Sequence, residues 1–276
     1  MAYKTILVHV DESQRASERI KIASAIAMAE NAHLIGTAVT GASRYLIQER
    51  ALEVDPNLRR HLDDLRARAQ HGLADFEACV QKLGLRSFEK RLVDDEAGAG
   101  ISLQARYADL VVIGQYDPDE VSPVVMHDFP QYVVLNCGRP VLLVPHTGQF
   151  DNIGRRVLIG WDASLASIHA ASAALPLLQR AQQITAVTFG ESEREKEAPP
   201  LDELQRYLAR HGVNVDMQRR EDSRGVGAAM LSLCAELDAD LLVMGGYGHS
   251  RFREILLGGV TRAVLTEMAV PVLMAH

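Results

Sequence analysis

A chain of 276 residues, 47% hydrophobic and 24% charged, is long enough for two globular domains and has the composition of a soluble protein. Its net charge of -7, with no long basic run, gives no electrostatic reason to expect nucleic acid or an anionic membrane as partner. No apolar stretch approaches the roughly 20 residues needed to span a bilayer, and Cys79, Cys137 and Cys234 lack the CxxC spacing of a zinc site.

The N-terminus reads straight into a strand and carries no secretory signal, and the sparse cysteines suit a reducing compartment, so a cytoplasmic protein with buried thiols is expected. Aromatics are only 5%, which leaves Val, Ile, Leu and Ala to build the core, a composition suited to parallel sheets covered by helices. In chain order, residues 5–10 predict a strand ended by Asp11, with Ser13 placed to cap a helix over 15–30. A strand over 33–40, a helix over 57–83, a strand over 85–93 and a helix over 97–107 follow. A strand over 109–114, a loop, a helix over 129–136 and a strand over 141–144 complete the first half. The second half predicts strand 156–161, helix 164–182, strand 184–189, a charged loop over 191–200 and helix 201–211. Strand 213–219, helix 223–238, strand 240–246, helix 259–268 and strand 271–274 close it.

The two halves repeat each other. Tyr3–Ser13 and Arg155–Ser164 both run from an apolar strand into Asp-x-Ser, and Asp11 and Asp162 are 151 positions apart. Ala108–Gly114 matches Ala239–Gly245 at an offset of 131, and Arg139–Leu143 matches Val270–Met274. The first copy therefore carries 20 more residues between these blocks. The expected domains are 1–147 and 154–276, joined by the polar segment Thr147–Gly154. Alternating strands and helices predict an α/β fold of two tandem, open, mainly parallel five-stranded sheets with helices on both faces. In such sheets ligands lie beyond the carboxyl ends of the strands, where the strand order reverses.

The segment Gly245–Thr261 carries the chemistry. Gly245, Gly248 and Gly258 are spaced Gly-x2-Gly-x9-Gly; the first follows a strand and the last opens a helix, through Gly259, Val260 and Thr261. Glycines let backbone N–H groups approach an anion closely, and a helix N-terminus favours negative charge. The segment also reads as a tight strand-to-helix connection, and Asp162 as a simple turn or cap residue beside Ser164. His249 is either a phosphate or ribose contact or an exposed loop residue. Arg251 and Arg253 either offset phosphate charge or pair with Glu254. Trp161 either walls the pocket or fills the core, and Tyr107 reads as a packing residue.

With these motifs the chain resembles the universal stress protein family over its whole length, as two fused copies. The family's ATP-binding members carry Gly-x2-Gly-x9-Gly-[Ser/Thr] after the fourth strand and an Asp after the first. The resemblance implies that Asp162 and Val187 hold adenine and that ribose and phosphates lie along Gly245, Gly248, His249, Gly258, Gly259, Val260 and Thr261. It implies a stress-response protein that binds ATP or another adenine nucleotide, with Mg²⁺ on the phosphates, and acts as a switch. The Ser/Thr position is Gly259, and a lost hydrogen bond to a charged group weakens binding roughly ten- to a hundredfold; Thr261 is the candidate substitute. In the first copy Asp117 stands where the second glycine belongs, with Asp119 and Glu120 beside it, so ATP is not expected there in the usual way. No P-loop, GxGxxG or GxSxG motif occurs, and no base, nucleophile and oxyanion donor can be assembled, so at most weak ATP hydrolysis is expected. A scaffold protein that binds no nucleotide is the alternative. The resemblance further implies that 141–144 and 271–274 pair as in a dimer; homodimerisation and an unknown protein partner stay open.

Overall fold

The computed structural model describes residues 2–43, 56–120, 122–189, 201–221, 225–247 and 259–276. The chain divides into two compact units, Ala2–Arg139 and Pro140–His276 (Met1 aside).

In the first unit β1 (Thr5–Val10), β2 (His33–Val39), β3 (Phe88–Val93) and β4 (Leu110–Gly114) stand in the order β3-β2-β1-β4, all parallel. Val8 of β1 aligns with Gly36 of β2 and Val112 of β4. The inner strands are continuous apolar runs because both faces are covered: Ile6, Leu7, Leu34, Leu110 and Ile113 are fully buried. The edge strand β3, Phe-Glu-Lys-Arg-Leu-Val, keeps charged side chains, as an exposed edge requires. Helices α1 (Ala16–Glu30) and α2 (Pro56–Lys82) pack together against the sheet, while α3 (Ala97–Gln104) and α4 (Phe129–Asn136) pack on each other. Gly36 is required by this packing, since a Cβ there would lie 2.6 Å from the ring of the buried Phe76 of α2.

The second unit contains β5 (Val141–Val144), β6 (Arg156–Gly160), β7 (Gln183–Phe189), β8 (Asp216–Arg220), β9 (Leu241–Gly245) and β10 (Val272–Ala275). Their order is β5-β10-β9-β6-β7-β8. All neighbours are parallel except β5 and β10, which run antiparallel with Leu143 opposite Val272 and Val141 opposite Met274. The mixed, mostly parallel α/β class is as expected. The expected 141–144 and 271–274 segments do pair, and this raises the sheet of the second unit to six strands. Its helices are α5 (Leu165–Ala173), α6 (Leu175–Leu178), α7 (Leu201–Arg210), α8 (Val226–Glu236) and α9 (Val260–Glu267).

The helix expected over 164–182 is thus two helices. Pro176 supplies no N–H to continue α5, and it sits instead in the first turn of α6, where none is needed. Ser13 does not cap α1, as had been expected; its N–H and its hydroxyl both go to Asp11 Oδ1, at 3.1 and 2.6 Å, and Arg15 stands at the N-cap position. Tyr107 is 80% exposed rather than packed.

The repeated Ala-Asp-Leu blocks have a structural role that was not anticipated. Asp109 Oδ2 accepts from the N–H groups of Lys4 and Thr5, and Asp240 Oδ1 from those of Gly154, Arg155 and Arg156. In each copy the carboxylate pins the start of the first strand beside the fourth.

Candidate functional site

The strand order reverses between β6 and β9 in the second unit, and the residues after their carboxyl ends flank the crevice there. Asp162 follows β6. It is exposed, its Oδ1 accepts from Ser164 N–H at 2.9 Å, and the tight turn puts Ala163 at φ 56°, in the left-handed region. Ser164 then caps α5 by accepting from Ser167 N–H. Trp161 is partly buried; its backbone N–H donates to the Val187 carbonyl, and its backbone carbonyl accepts from Thr188 Oγ1. Val187 lies within β7, paired with Gly160 and Gln218, and is fully buried.

Gly245 ends β9. A Cβ there would stand 2.6 Å from Ser167 N and 2.8 Å from Ala166 C, so α5 seats its backbone on this glycine. Gly246 continues the register through its N–H to the Ala275 carbonyl, and its own carbonyl meets His276 Nδ1 at 3.0 Å. Tyr247 turns into the left-handed region at φ 59°. Its N–H donates to Thr261 Oγ1 at 3.2 Å, and Thr261 is 3% exposed in the first turn of α9. The two ends of the glycine segment are therefore tied at their base. The Thr261 hydroxyl, the candidate replacement at Gly259, has this acceptor role already. Gly259 is the N-cap of α9, with φ −56° and ψ −172°, a conformation open to any residue, and Val260 is the first helical residue. Gly248, His249, Arg251, Arg253, Glu254 and Gly258, like the 191–200 loop, lie outside the described residues. Gly227 of α8 lets α9 close on it; a Cβ would lie 2.9 Å from Ala263 Cβ and 3.2 Å from the Val260 carbonyl.

In the first unit the corresponding crevice lies between β1 and β4 and is filled by the chain's own side chains. Arg19 of α1 is 3% exposed. Its Nε donates to the His9 carbonyl at 2.8 Å and its Nη2 to Asp11 Oδ1 at 2.7 Å. Its Nη1 comes within 2.6 Å of where a Cβ on Gly114 would be. At the offset relating Asp11 to Asp162, Arg19 becomes Ala170 and His9 becomes Gly160. Burial alone would push the Asp11 carboxyl up, but the Arg19 guanidinium, His9 and the bonds from Ser13 hold it well below the usual carboxylate range. Burial pushes the His9 imidazole down to about 4, with Asp11 opposing and Arg19 assisting. Its Nε2 has no hydrogen-bond partner, and Phe129 packs on the ring at 4.9 Å. The acidic loop after β4 folds inward: both Glu120 oxygens face Gln14 N–H, at 3.0 and 3.3 Å, while Asp117 Oδ1 accepts from Asp119 N–H. Sequence reasoning missed Arg19; an arginine among the small and apolar residues of α1 was the available signal.

Two open α/β sheets in tandem, each with its crevice at the reversal of strand order, define the class. The chain belongs to the universal stress protein family, whose model matches residues 2–145 and again 154–276. Among solved structures it is similar to a universal stress protein from Archaeoglobus fulgidus DSM 4304, at 14% identity and TM-score 0.74, over 98% of this chain and 97% of that one. It is also similar to a putative universal stress protein from Pseudomonas aeruginosa UCBPP-PA14, at 15% identity and TM-score 0.58, over 99% and 92% of the two chains. These likenesses show the fold. No curated protein matches the sequence.

Proposed function

We propose that the C-terminal repeat binds an adenine nucleotide, ATP in the leading reading, across the carboxyl ends of β6 and β9, and that the protein acts as a stress-response switch. Family membership supports the ligand class. One observation carries the choice of repeat: the Tyr247–Thr261 hydrogen bond closes the glycine segment at its base, so that Gly245 and the first turn of α9 stand together beside Asp162's crevice. In this reading the N–H groups of Gly259 and Val260, which α9 has no carbonyl to satisfy, receive a phosphate. Gly248, His249 and Gly258 complete the cradle, and Asp162 meets the adenosine moiety. Val187 contributes through the strand on which the base rests, since its side chain is buried. Among the described residues no three His, Cys, Asp or Glu gather as a metal cage; Mg²⁺ enters on the phosphates, as is usual for this ion. Binding biases a conformational or partner-binding equilibrium.

The test is calorimetric titration of the full chain with Mg·ATP. One site per chain, weakened by Asp162→Ala, is expected. Gly259→Ser restores the family's hydroxyl at a backbone conformation serine accepts and is expected to tighten binding about tenfold. If Gly259→Ser leaves affinity unchanged, no phosphate lies at the start of α9. Absence of any heat or copurified nucleotide favours the second reading, a protein-interaction module. Its support is the exposed pair Leu165 and Ile168, 75% and 42% accessible and three residues apart on α5.

A further inference from the structure

One peptide group in the glycine segment is held at both of its ends. The Gly246 carbonyl and the Tyr247 N–H belong to the same peptide plane and, the bond being trans, point in opposite directions. The N–H donates to Thr261 Oγ1 at 3.2 Å, and the carbonyl meets His276 Nδ1 at 3.0 Å. A carbonyl only accepts, so Nδ1 of His276 carries the proton in this contact. His276 is itself fixed by its main chain. The preceding Ala275 pairs with Gly245 and accepts from Gly246 N–H, while the His276 carbonyl accepts from His169 Nδ1 of α5 at 3.3 Å.

The clamp has a visible consequence. Tyr247 stands at φ 59°, a left-handed conformation that a bulky residue keeps only where its surroundings enforce it. Turning the peptide plane over would return Tyr247 to negative φ, and the two hydrogen bonds oppose that turn. The first repeat supplies the comparison. At the offset of 131, Gly246 and Tyr247 become Gln115 and Tyr116, while Thr261 and His276 become Pro130 and Pro145. Neither proline has a side-chain donor or acceptor, and Tyr116 is not among the residues with positive φ. The same tyrosine position is left-handed where the clamp exists and ordinary where it does not. The orientation bears on anion binding. As clamped, the peptide turns its N–H toward the first turn of α9 and its carbonyl away. Turned over, it would aim a carbonyl oxygen at that turn and repel a phosphate there.

We propose that His276 is a positioning residue of the nucleotide site: its Nδ1–H holds the Gly246–Tyr247 peptide in the orientation that keeps the carbonyl away from the phosphates. This role rests on nucleotide binding in the C-terminal repeat, and His276 acts through Gly246 without touching the ligand. An asparagine amide nitrogen overlies Nδ1 of an imidazole and keeps the donor, whereas glutamine reaches instead to the place of Nε2, and leucine has no donor. The test compares the wild type with His276→Asn, His276→Gln and His276→Leu as full chains, at a position exposed enough to leave the fold intact. In calorimetric titration with Mg·ATP, His276→Leu and His276→Gln are expected to bind about three- to tenfold more weakly, the loss of one hydrogen bond, and His276→Asn to bind like the wild type. With nucleotide absent, the Tyr247 amide hydrogen, followed by NMR, is expected to exchange faster in His276→Leu and His276→Gln than in the other two. Equal affinity in all four proteins, His276→Asn as weak as His276→Leu, or unchanged Tyr247 exchange would each overturn the proposal and leave the nucleotide reading standing. A wild type that takes up no Mg·ATP overturns the nucleotide reading itself, and this role with it.

Discussion

Arg19, His9 and Asp11 form a largely buried polar group whose members depend on one another. Arg19→Leu leaves the part-buried Asp11 carboxylate without its partner, and breaking such a pair from one side costs about 3 kcal/mol. Urea denaturation of the variant is expected to show that loss. The His9 imidazole is neutral when folded, since its pKa of about 4 lies below the ordinary 6.5. The unfolded chain therefore binds more protons between these values, and stability falls as pH drops through that window. By pH 5 the loss from His9 reaches about 2 kcal/mol relative to pH 8. Asp11 acts in the same direction at lower pH, because its depressed carboxyl contributes stability above the unfolded value that is lost on further acidification. Thermal melts from pH 7.5 to 5 should show a steeper decline for the wild type than for His9→Leu; parallel curves would exclude His9 as the cause. Cys137 and Cys234 are buried, as expected, whereas Cys79 is only half-buried. Burial raises all three, Cys234 to about 12, so none is a ready nucleophile at neutral pH.

Among the elements, the alternation of strands and helices was legible to within a few residues nearly everywhere, because the inner strands are apolar runs that end near Asp or Gly. Several features escaped. The break at Ala174 required noticing that Pro176 cannot supply an N–H within a helix. Strand β8 begins at Asp216 rather than 213, although Val213 and Val215 are buried, because burial of a connecting segment mimics a strand. The candidate site was legible as a glycine spacing, yet Gly245 also answers to α5, and Thr261 to Tyr247; neither demand is visible without the neighbouring backbone. An arginine in the small and apolar helix α1 marked position 19, but its role was not legible, because its neighbours at positions 9, 11 and 114 meet it only through the sheet. Close packing between elements gives its own prediction. Gly36→Ala drives a Cβ into Phe76, an overpacking that costs about 1–3 kcal/mol. Phe76→Leu in the same chain should recover part of the loss, and strictly additive losses in a double-mutant cycle would show that the two do not touch.

For the molecule as a whole, the informative strand is β5. It comes from the last part of the first repeat in sequence yet completes the sheet of the second compact unit, covering the edge of β10. A fragment of residues 140–276 keeps that cover, whereas 154–276 exposes β10, an apolar strand of Val-Leu-Met-Ala, as a free edge. Sedimentation is expected to find the shorter fragment, with β10 bare, more prone to self-association than the longer one, in which β10 is paired. If both are monomeric, β5 is dispensable to the edge.

β10 is the last strand in chain order and an interior strand of its sheet, between β5 and β9. During vectorial synthesis the first unit has all four of its strands once residue 114 has left the ribosome. The sheet of the second unit cannot close until residue 275 has emerged, some 130 residues after β5. For that interval, at translation rates of about 5–20 residues per second, β5 waits with an apolar face and an open ladder. The nascent chain is thus most vulnerable to misassembly between its two repeats while the second is being made, and that interval is where a chaperone would find its substrate.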